Sequence, residues 1–219
     1  CTQRRVPCIM TQNLLGTCEW VVPPNLGWLR YSLDDKEIDY LWNCIDNKKQ
    51  YYKDQLAGNI SSSFKLEDEN AWFFNQTLHP LIKVYAHEFT NLGVHTPTVN
   101  VHPYTLGSWW VNYQKQHEFN PSHGHQGVYS FVIWLKIPTE HAEQNKDNIT
   151  NTPVRSAFQF NYQNILGEPD TFDYELGKNY EGTMLFFPSK LRHQVYPFYN
   201  CEDDRISISG NIFIDETRE

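Results

Sequence analysis

His123-Gly124-His125 places two imidazoles at i and i+2. Side chains alternate along an extended segment with a period of two, so both rings would point to one side. His193, arriving from a distant strand, could complete one face of a metal's coordination sphere and leave the opposite face open. Twelve residues after it comes Arg205, with Ser207 two positions further on. A guanidinium offers a planar, bidentate fork, and with a hydroxyl beside it suits a carboxylate. Metal face and carboxylate clamp together point to a non-haem iron centre that uses a 2-oxo acid. Each feature also has a plain structural reading. A histidine in a strand can be a core residue, Arg205 can pair at the surface with Asp203 or Asp204, and Trp109, Trp110, Phe131 and Trp134 can simply be core. The same applies to His102, His117 and His141, which lack comparable partners in the sequence.

The elements that must position these residues follow from composition and periodicity. With 219 residues, 40% hydrophobic and 15% aromatic, the chain is long and apolar enough for one globular domain with a substantial core. A net charge of -8 disfavours nonspecific nucleic-acid binding, which rests on Lys and Arg neutralising phosphates. No apolar run approaches the ~20 residues of a membrane span. Cys1 to Arg5 include neither an initiator Met nor the apolar core of a signal peptide. Cys1, Cys8, Cys18, Cys44 and Cys201 are odd in number and form no CxxC, so we expect reduced thiols and a cytoplasmic protein of a bacterial or phage-infected cell. The sequons at Asn59, Asn75 and Asn148 read as chance.

We expect a single domain over 1–219, with an N-terminal strand and helical support in 1–94 and a β core in 95–219. A capping region at Ser32–Asp35 precedes Ile38, Leu41, Trp42 and Ile45, which share one face of a helix. A second helix is expected from near Asp68 to Gly93, with Trp72, Phe73, Leu81, Ile82, Tyr85 and Phe89 on its apolar face and either a kink or a split into two segments at Pro80. Short β runs follow at Thr98–His102, Ser108–Lys115, Tyr129–Ile137, Ala157–Tyr162, Thr183–Phe187, Gln194–Tyr199 and Ile206–Ile214. Strands after helices, without βα alternation, predict a mainly β fold: an antiparallel barrel or jelly roll buttressed by N-terminal helices. The polar stretch from Thr139 to Pro153 is either a lid or substrate-recognition loop, or a solvated connection.

Three stretches, Phe119–Pro138, Gly182–Pro197 and Arg205–Asn211, resemble the 2-oxoglutarate/Fe(II) oxygenase family of marine phages and bacteria. The specific part is Phe187-Pro188-Ser189 followed by Leu191, His193, Val195 and Pro197, and then Arg205-Ile206-Ser207-Ile208-Ser209 with Asn211. The resemblance implies a double-stranded β-helix of the jelly-roll, cupin-like kind. It also implies ferrous iron, 2-oxoglutarate and oxygen, and a hydroxylation that releases succinate and CO2. By position it makes His123, His125 and His193 the metal ligands and Arg205 the partner of the co-substrate's distal carboxylate. Ser207 would then be a hydroxyl donor to that carboxylate. Tyr113 sits where related prolyl hydroxylases carry a tyrosine that helps bind 2-oxoglutarate.

One departure stands out. Most of the superfamily pairs the first histidine with Asp or Glu, whereas the second member here is His125. Three neutral imidazoles leave the site one unit more positive. Two other registers stay open. If His125 is the first ligand, Gly127 falls at the carboxylate position, the arrangement of the iron halogenases; alternatively Glu118 turns inward to supply the charge. Two other classes also stay open: a cupin-like metal-binding barrel or dioxygenase that uses no 2-oxo acid, and a non-catalytic phage interaction module. The primary substrate, a small molecule or a peptide, is not encoded in any of these motifs.

Overall fold

The computed structural model describes residues 21–22, 25–47, 50–52, 56, 58–95, 100 and 102–217. Most of the expected strand Thr98–His102 lies outside these residues, as do Cys1, Cys8 and Cys18. Helix α1 spans Asp35–Asp46 and opens on a capping box. The Asp34 carboxylate accepts from the Glu37 N–H at 2.8 Å, and the Glu37 carboxylate accepts from the Asp34 N–H at 2.9 Å. Its Leu41, Cys44 and Ile45 are buried. Before the second helix, the Asp68 carboxylate accepts from the N–H groups of Phe73 and Phe74, both at 2.9 Å. A wide π-type turn over Phe74–Leu78 leads into α2, His79–Glu88. Pro80 has no N–H to donate and crowds the turn before it, so the chain widens there. Helix α2 stops at Glu88, short of the expected Gly93, because Phe89 leaves helical φ/ψ and a separate short turn forms over Leu92–His95.

Eleven strands are present among the described residues: β1 (Leu29–Ser32), β2 (Gln50–Tyr51), β3 (Ser62–Lys65), β4 (Tyr104–Gln114), β5 (Asn120–His123), β6 (Tyr129–Lys136), β7 (Ala157–Gln163), β8 (Pro169–Glu175), β9 (Thr183–Pro188), β10 (Arg192–Val195) and β11 (Arg205–Ile214). They form two antiparallel sheets, in the orders β1-β9-β6-β11-β4-β3-β2 and β5-β10-β7-β8. From β4 onward the chain winds between the sheets at every step but the β7–β8 hairpin, so most consecutive strands pair with partners distant in sequence. This is the double-stranded β-helix, and strands from before residue 95 extend its larger sheet.

The larger sheet has two working faces. Toward the helices it packs Val111, Ile133, Met184 and Ile208 against Leu41, Phe73, Leu81 and Tyr85. Toward the smaller sheet, Val132, Trp134, Leu185 and Phe187 meet Phe158, Phe160 and Tyr174. Strand β6 is buried through Leu135 and β9 through Phe187, as expected for near-continuous apolar runs covered on both sides. The penultimate strand is displaced from expectation. It covers Arg192–Val195 rather than Gln194–Tyr199, because Pro197 cannot donate to the ladder. The stretch from Thr139 to Pro153 is not a free loop. Helix α3 (His141–Asn145) forms within it, His141 is buried with Nε2 3.0 Å from the Pro153 carbonyl, and Gln144 bonds the backbone of Tyr199. No helix among the described residues is long and apolar enough to cross a membrane.

Candidate active site

Strands β5 and β10 pair antiparallel with His123 directly opposite His193. Directly opposed residues share a face of the sheet, which brings the two rings to 4.4 Å between centroids. His125 joins them from beyond the end of β5. Its N–H donates to the Ser189 carbonyl at 2.8 Å, and its ring lies 5.0 Å from each of the other two. The three rings thus converge by a route partly different from the period-two one, since Gly124 and His125 have left the strand. One ligand nitrogen from each histidine lies within 4.8 Å of the others, and His125 Nε2 is 3.1 Å from His193 Nε2. Two adjacent nitrogens bound about 2.1 Å from a shared ion would be roughly 3 Å apart.

The protonation state suits a metal. His123 Nδ1 is 2.7 Å from the Pro121 carbonyl and His193 Nδ1 is 3.1 Å from that of Leu191. A carbonyl only accepts, so in both rings Nδ1 carries the proton and Nε2 keeps its lone pair. Burial pushes the pKa of all three histidines down. For His125 the value falls to about 4, through burial and then the neighbouring His123. His193 is driven well below the ordinary range, by burial first and by the other two rings next.

The second half of the site is on β11 and β4. Arg205 is opposite Gln114, Ser207 opposite Asn112 and Ser209 opposite Trp110. These residues, with Asn211 and the three histidines, line one cavity of about 410 Å³ between the two sheets. That size is within the range of small-molecule sites. Their alternates, Ile206, Ile208 and Ile212, pack on the helix side. Arg205 is 1% exposed. Its guanidinium donates to Gln114 Oε1 at 3.4 Å and to the carbonyl and hydroxyl of Ser156, and it lies 5.0 Å from the Phe198 ring. No carboxylate pairs with it among the described residues, and its Nε–H has no acceptor. Burial pushes its pKa down to about 9, which still leaves it charged at neutral pH. A buried cation with a spare donor, facing a cavity that also holds three neutral imidazoles, fits a carboxylate ligand lying beside a metal.

Other expected residues lie away from the cavity. Tyr113 does not line the cavity: it packs on the helix side, 6.0 Å from Phe64. Strand alternation turns Asn112 and Gln114 inward instead. Glu118 does not turn inward. Its carboxylate accepts from the N–H groups of Ser61 and Lys115 at 2.9 and 2.8 Å. Gly127 has φ +95°, and a Cβ there would come within 2.7 Å of the Ile212 carbonyl; it packs against β11, while His123 stands in the cluster with the other two rings. Arg205 forms no surface pair, and Asp203 is bound by Lys136 instead. Sequence reasoning missed Gln114, Ser156, Phe198 and Asn112. The period-two pattern of β4 could have found the first and last. Nothing in the sequence marks Ser156.

Residues 108–211, just under half of the chain, match the family model described as "Putative 2OG-Fe(II) oxygenase". That span contains all three histidines, Arg205 and Ser207. No curated protein matches the chain. An oxidoreductase of the 2OG-Fe(II) oxygenase family from Burkholderia pseudomallei superposes with a TM-score of 0.53 at 12% identity, covering 85% of each chain. A viral collagen prolyl hydroxylase from Paramecium bursaria Chlorella virus-1, solved with 2OG, gives 0.49 at 14% identity, covering 84% of this chain and 94% of that one. The stretch that builds the site is thus 2OG-Fe(II) oxygenase-like in sequence, and the Burkholderia protein shares the fold.

Proposed function

We propose that this chain is a non-haem Fe(II)- and 2-oxoglutarate-dependent dioxygenase that hydroxylates a small-molecule or peptide substrate. The observation that carries the reading is that one cavity is lined both by three neutral imidazoles and by a buried guanidinium with a spare donor. Nε2 of His123 and of His193, with a ring nitrogen of His125, would hold the iron. Arg205 would take the far carboxylate of 2-oxoglutarate, with Ser207 beside it. When bound, iron and 2-oxoglutarate supply oxygen activation, coupled to loss of CO2 and formation of succinate. The protein's part is to bind and orient. The carbonyls of Pro121 and Leu191 keep Nδ1 of two rings protonated, so these histidines enter as neutral donors. The aromatic walls, among them Trp110, Phe131, Trp134 and Phe158, exclude water from the reacting end.

The test is anaerobic titration of Fe(II) and then 2-oxoglutarate, followed by succinate detection in air. Stoichiometric iron with saturable 2-oxoglutarate binding and slow, substrate-free succinate release is expected. A protein that binds iron but not 2-oxoglutarate would point to the cupin-like alternative, in which Arg205 is structural.

A further inference from the structure

Ser156 is the residue that the assigned chemistry does not use and that the fold strains to keep. It is fully buried, yet its backbone sits at φ +64°, the left-handed region that glycine adopts freely and L-residues other than Asn and Asp rarely do. A glycine would hold that turn without strain, and the position faces no solvent that would reward a hydroxyl. Strained backbone of this kind persists where surrounding contacts over-determine it, and it gathers at functional sites. The contacts at Ser156 all lead one way. Its N–H donates to the Pro197 carbonyl at 2.8 Å, fixing it next to Phe198, whose ring underlies Arg205. Its carbonyl and its hydroxyl both accept from the same guanidinium nitrogen of Arg205. The hydroxyl also lies 3.2 Å from Thr139 Oγ1, which orients it. On the other side Gln114 accepts from the second terminal nitrogen, and its own amide is anchored on the Glu118 carbonyl at 2.7 Å.

A side chain with four rotatable bonds is thereby held at both terminal nitrogens by neutral oxygens, and Nε–H is left without a partner. Neutral acceptors orient a guanidinium without cancelling its charge, whereas a carboxylate in their place would have quenched it. We propose that Ser156, assisted by Gln114, is a positioning residue that presents the charged Arg205 fork to the dianionic co-substrate. This rests on the reading of Arg205 as the 2-oxoglutarate carboxylate site.

The experiment compares wild type, Ser156→Ala, Ser156→Gly and Gln114→Leu. It uses anaerobic calorimetric titration of 2-oxoglutarate into the iron-loaded proteins, with iron stoichiometry measured separately. The resonance of the Arg205 Nε–H is followed by nitrogen-proton NMR without any ligand. Glycine accepts the left-handed conformation, so Ser156→Gly keeps the turn and should melt no lower than Ser156→Ala. Both Ser156 variants should nonetheless bind 2-oxoglutarate about tenfold more weakly, the scale of one hydrogen bond to a charged group. Iron stoichiometry should be unchanged. The Arg205 Nε–H signal should broaden or shift, and the KM for 2-oxoglutarate should rise more than kcat falls. If wild type binds 2-oxoglutarate and Ser156→Gly binds it within twofold as well, with the Arg205 signal unmoved, the positioning role is wrong while the clamp survives. If wild type itself does not bind 2-oxoglutarate, the functional reading falls, and this inference with it.

Discussion

Replacing Arg205 with Met separates the role of the guanidinium in binding from its cost to folding. In the ligand-free protein the side chain is 1% exposed with no carboxylate partner among the described residues. Burial pushes its pKa well below the ordinary guanidinium range, to about 9. At 1.36 kcal/mol per pH unit, a shift of that size is on the order of 5 kcal/mol against the charged form. Hydrogen bonds to Ser156 and Gln114 and the Phe198 ring offset part of that cost. Met fills similar volume and removes the charge, so Arg205→Met should leave ligand-free stability within about 1 kcal/mol of wild type, or raise it. Binding should respond oppositely. Truncating one partner of a buried charged pair costs roughly 2–5 kcal/mol, which is about 30-fold or more in 2-oxoglutarate affinity. With 2-oxoglutarate at 100 times the wild-type Kd, linkage stabilises wild type by about 2.7 kcal/mol. A 30-fold weaker variant gains less than about 1 kcal/mol under the same conditions. Denaturant unfolding of both iron-loaded proteins, with and without 2-oxoglutarate under anaerobic conditions, reads both quantities. An undiminished stabilisation in Arg205→Met refutes the clamp. A ligand-free loss of more than about 3 kcal/mol refutes the argument that the charge is kept at the fold's expense.

His193→Ala should abolish stoichiometric iron binding while circular dichroism shows the fold intact, because two imidazoles alone do not make a three-ligand face; full iron occupancy would overturn the assignment. His125→Asp restores a carboxylate to the set and should keep iron binding, whereas loss of iron in that variant would mean that this position cannot serve as a ligand. Tyr113→Phe should bind 2-oxoglutarate within twofold of wild type and Ser207→Ala several-fold more weakly; calorimetry giving the reverse order would show that the strand faces have been misread. In the metal-free protein all three histidines have folded pKa values below the ordinary 6.5. The unfolded state therefore takes up protons first, so their contribution is fully present above about pH 6.5 and is lost as pH falls toward 4, the His125 value. Unfolding free energy measured from pH 7.5 to 4 should decline in that window, and less steeply in His125→Asn; a flat profile would contradict the burial of neutral rings.

How much of this was legible in the sequence depended on whether the signal was periodic. Strands β4, β6, β7, β9 and β11 were readable because apolar runs or alternation of four or more residues mark them. Strands β2 and β5 were not, since a two-residue strand and one containing Asn120, Pro121 and Ser122 carry no apolar pattern. Their strand character comes from pairing, β5 against β10 and β2 against β3. The exposed β8 was hidden likewise, because its Asp170, Thr171 and Asp173 face solvent at a sheet edge. Within the site, residue type and spacing pointed to the three histidines and Arg205, whereas Tyr113 was singled out by resemblance alone and packs against the helix-side core. Ser156 had no precursor signal at all: its role depends on a backbone angle and on a partner 49 residues away.

Strand β11 shows why these two kinds of information meet in one place. Its odd positions, Arg205, Ser207, Ser209 and Asn211, line the cavity, while Ile206, Ile208 and Ile212 are in or against the core beneath the helices. A slip of one residue would send the guanidinium into the aliphatic layer and the isoleucines into the cavity, so core packing sets the register of the polar residues. The central position of β11 between β4 and β6 makes that slip costly on both sides at once. The polar face is then free to carry groups that contribute little to stability, including a charge with no counter-charge beside it. A site built this way tolerates an unsatisfied cation because the opposite face of the same strand supplies the burial that holds it in register.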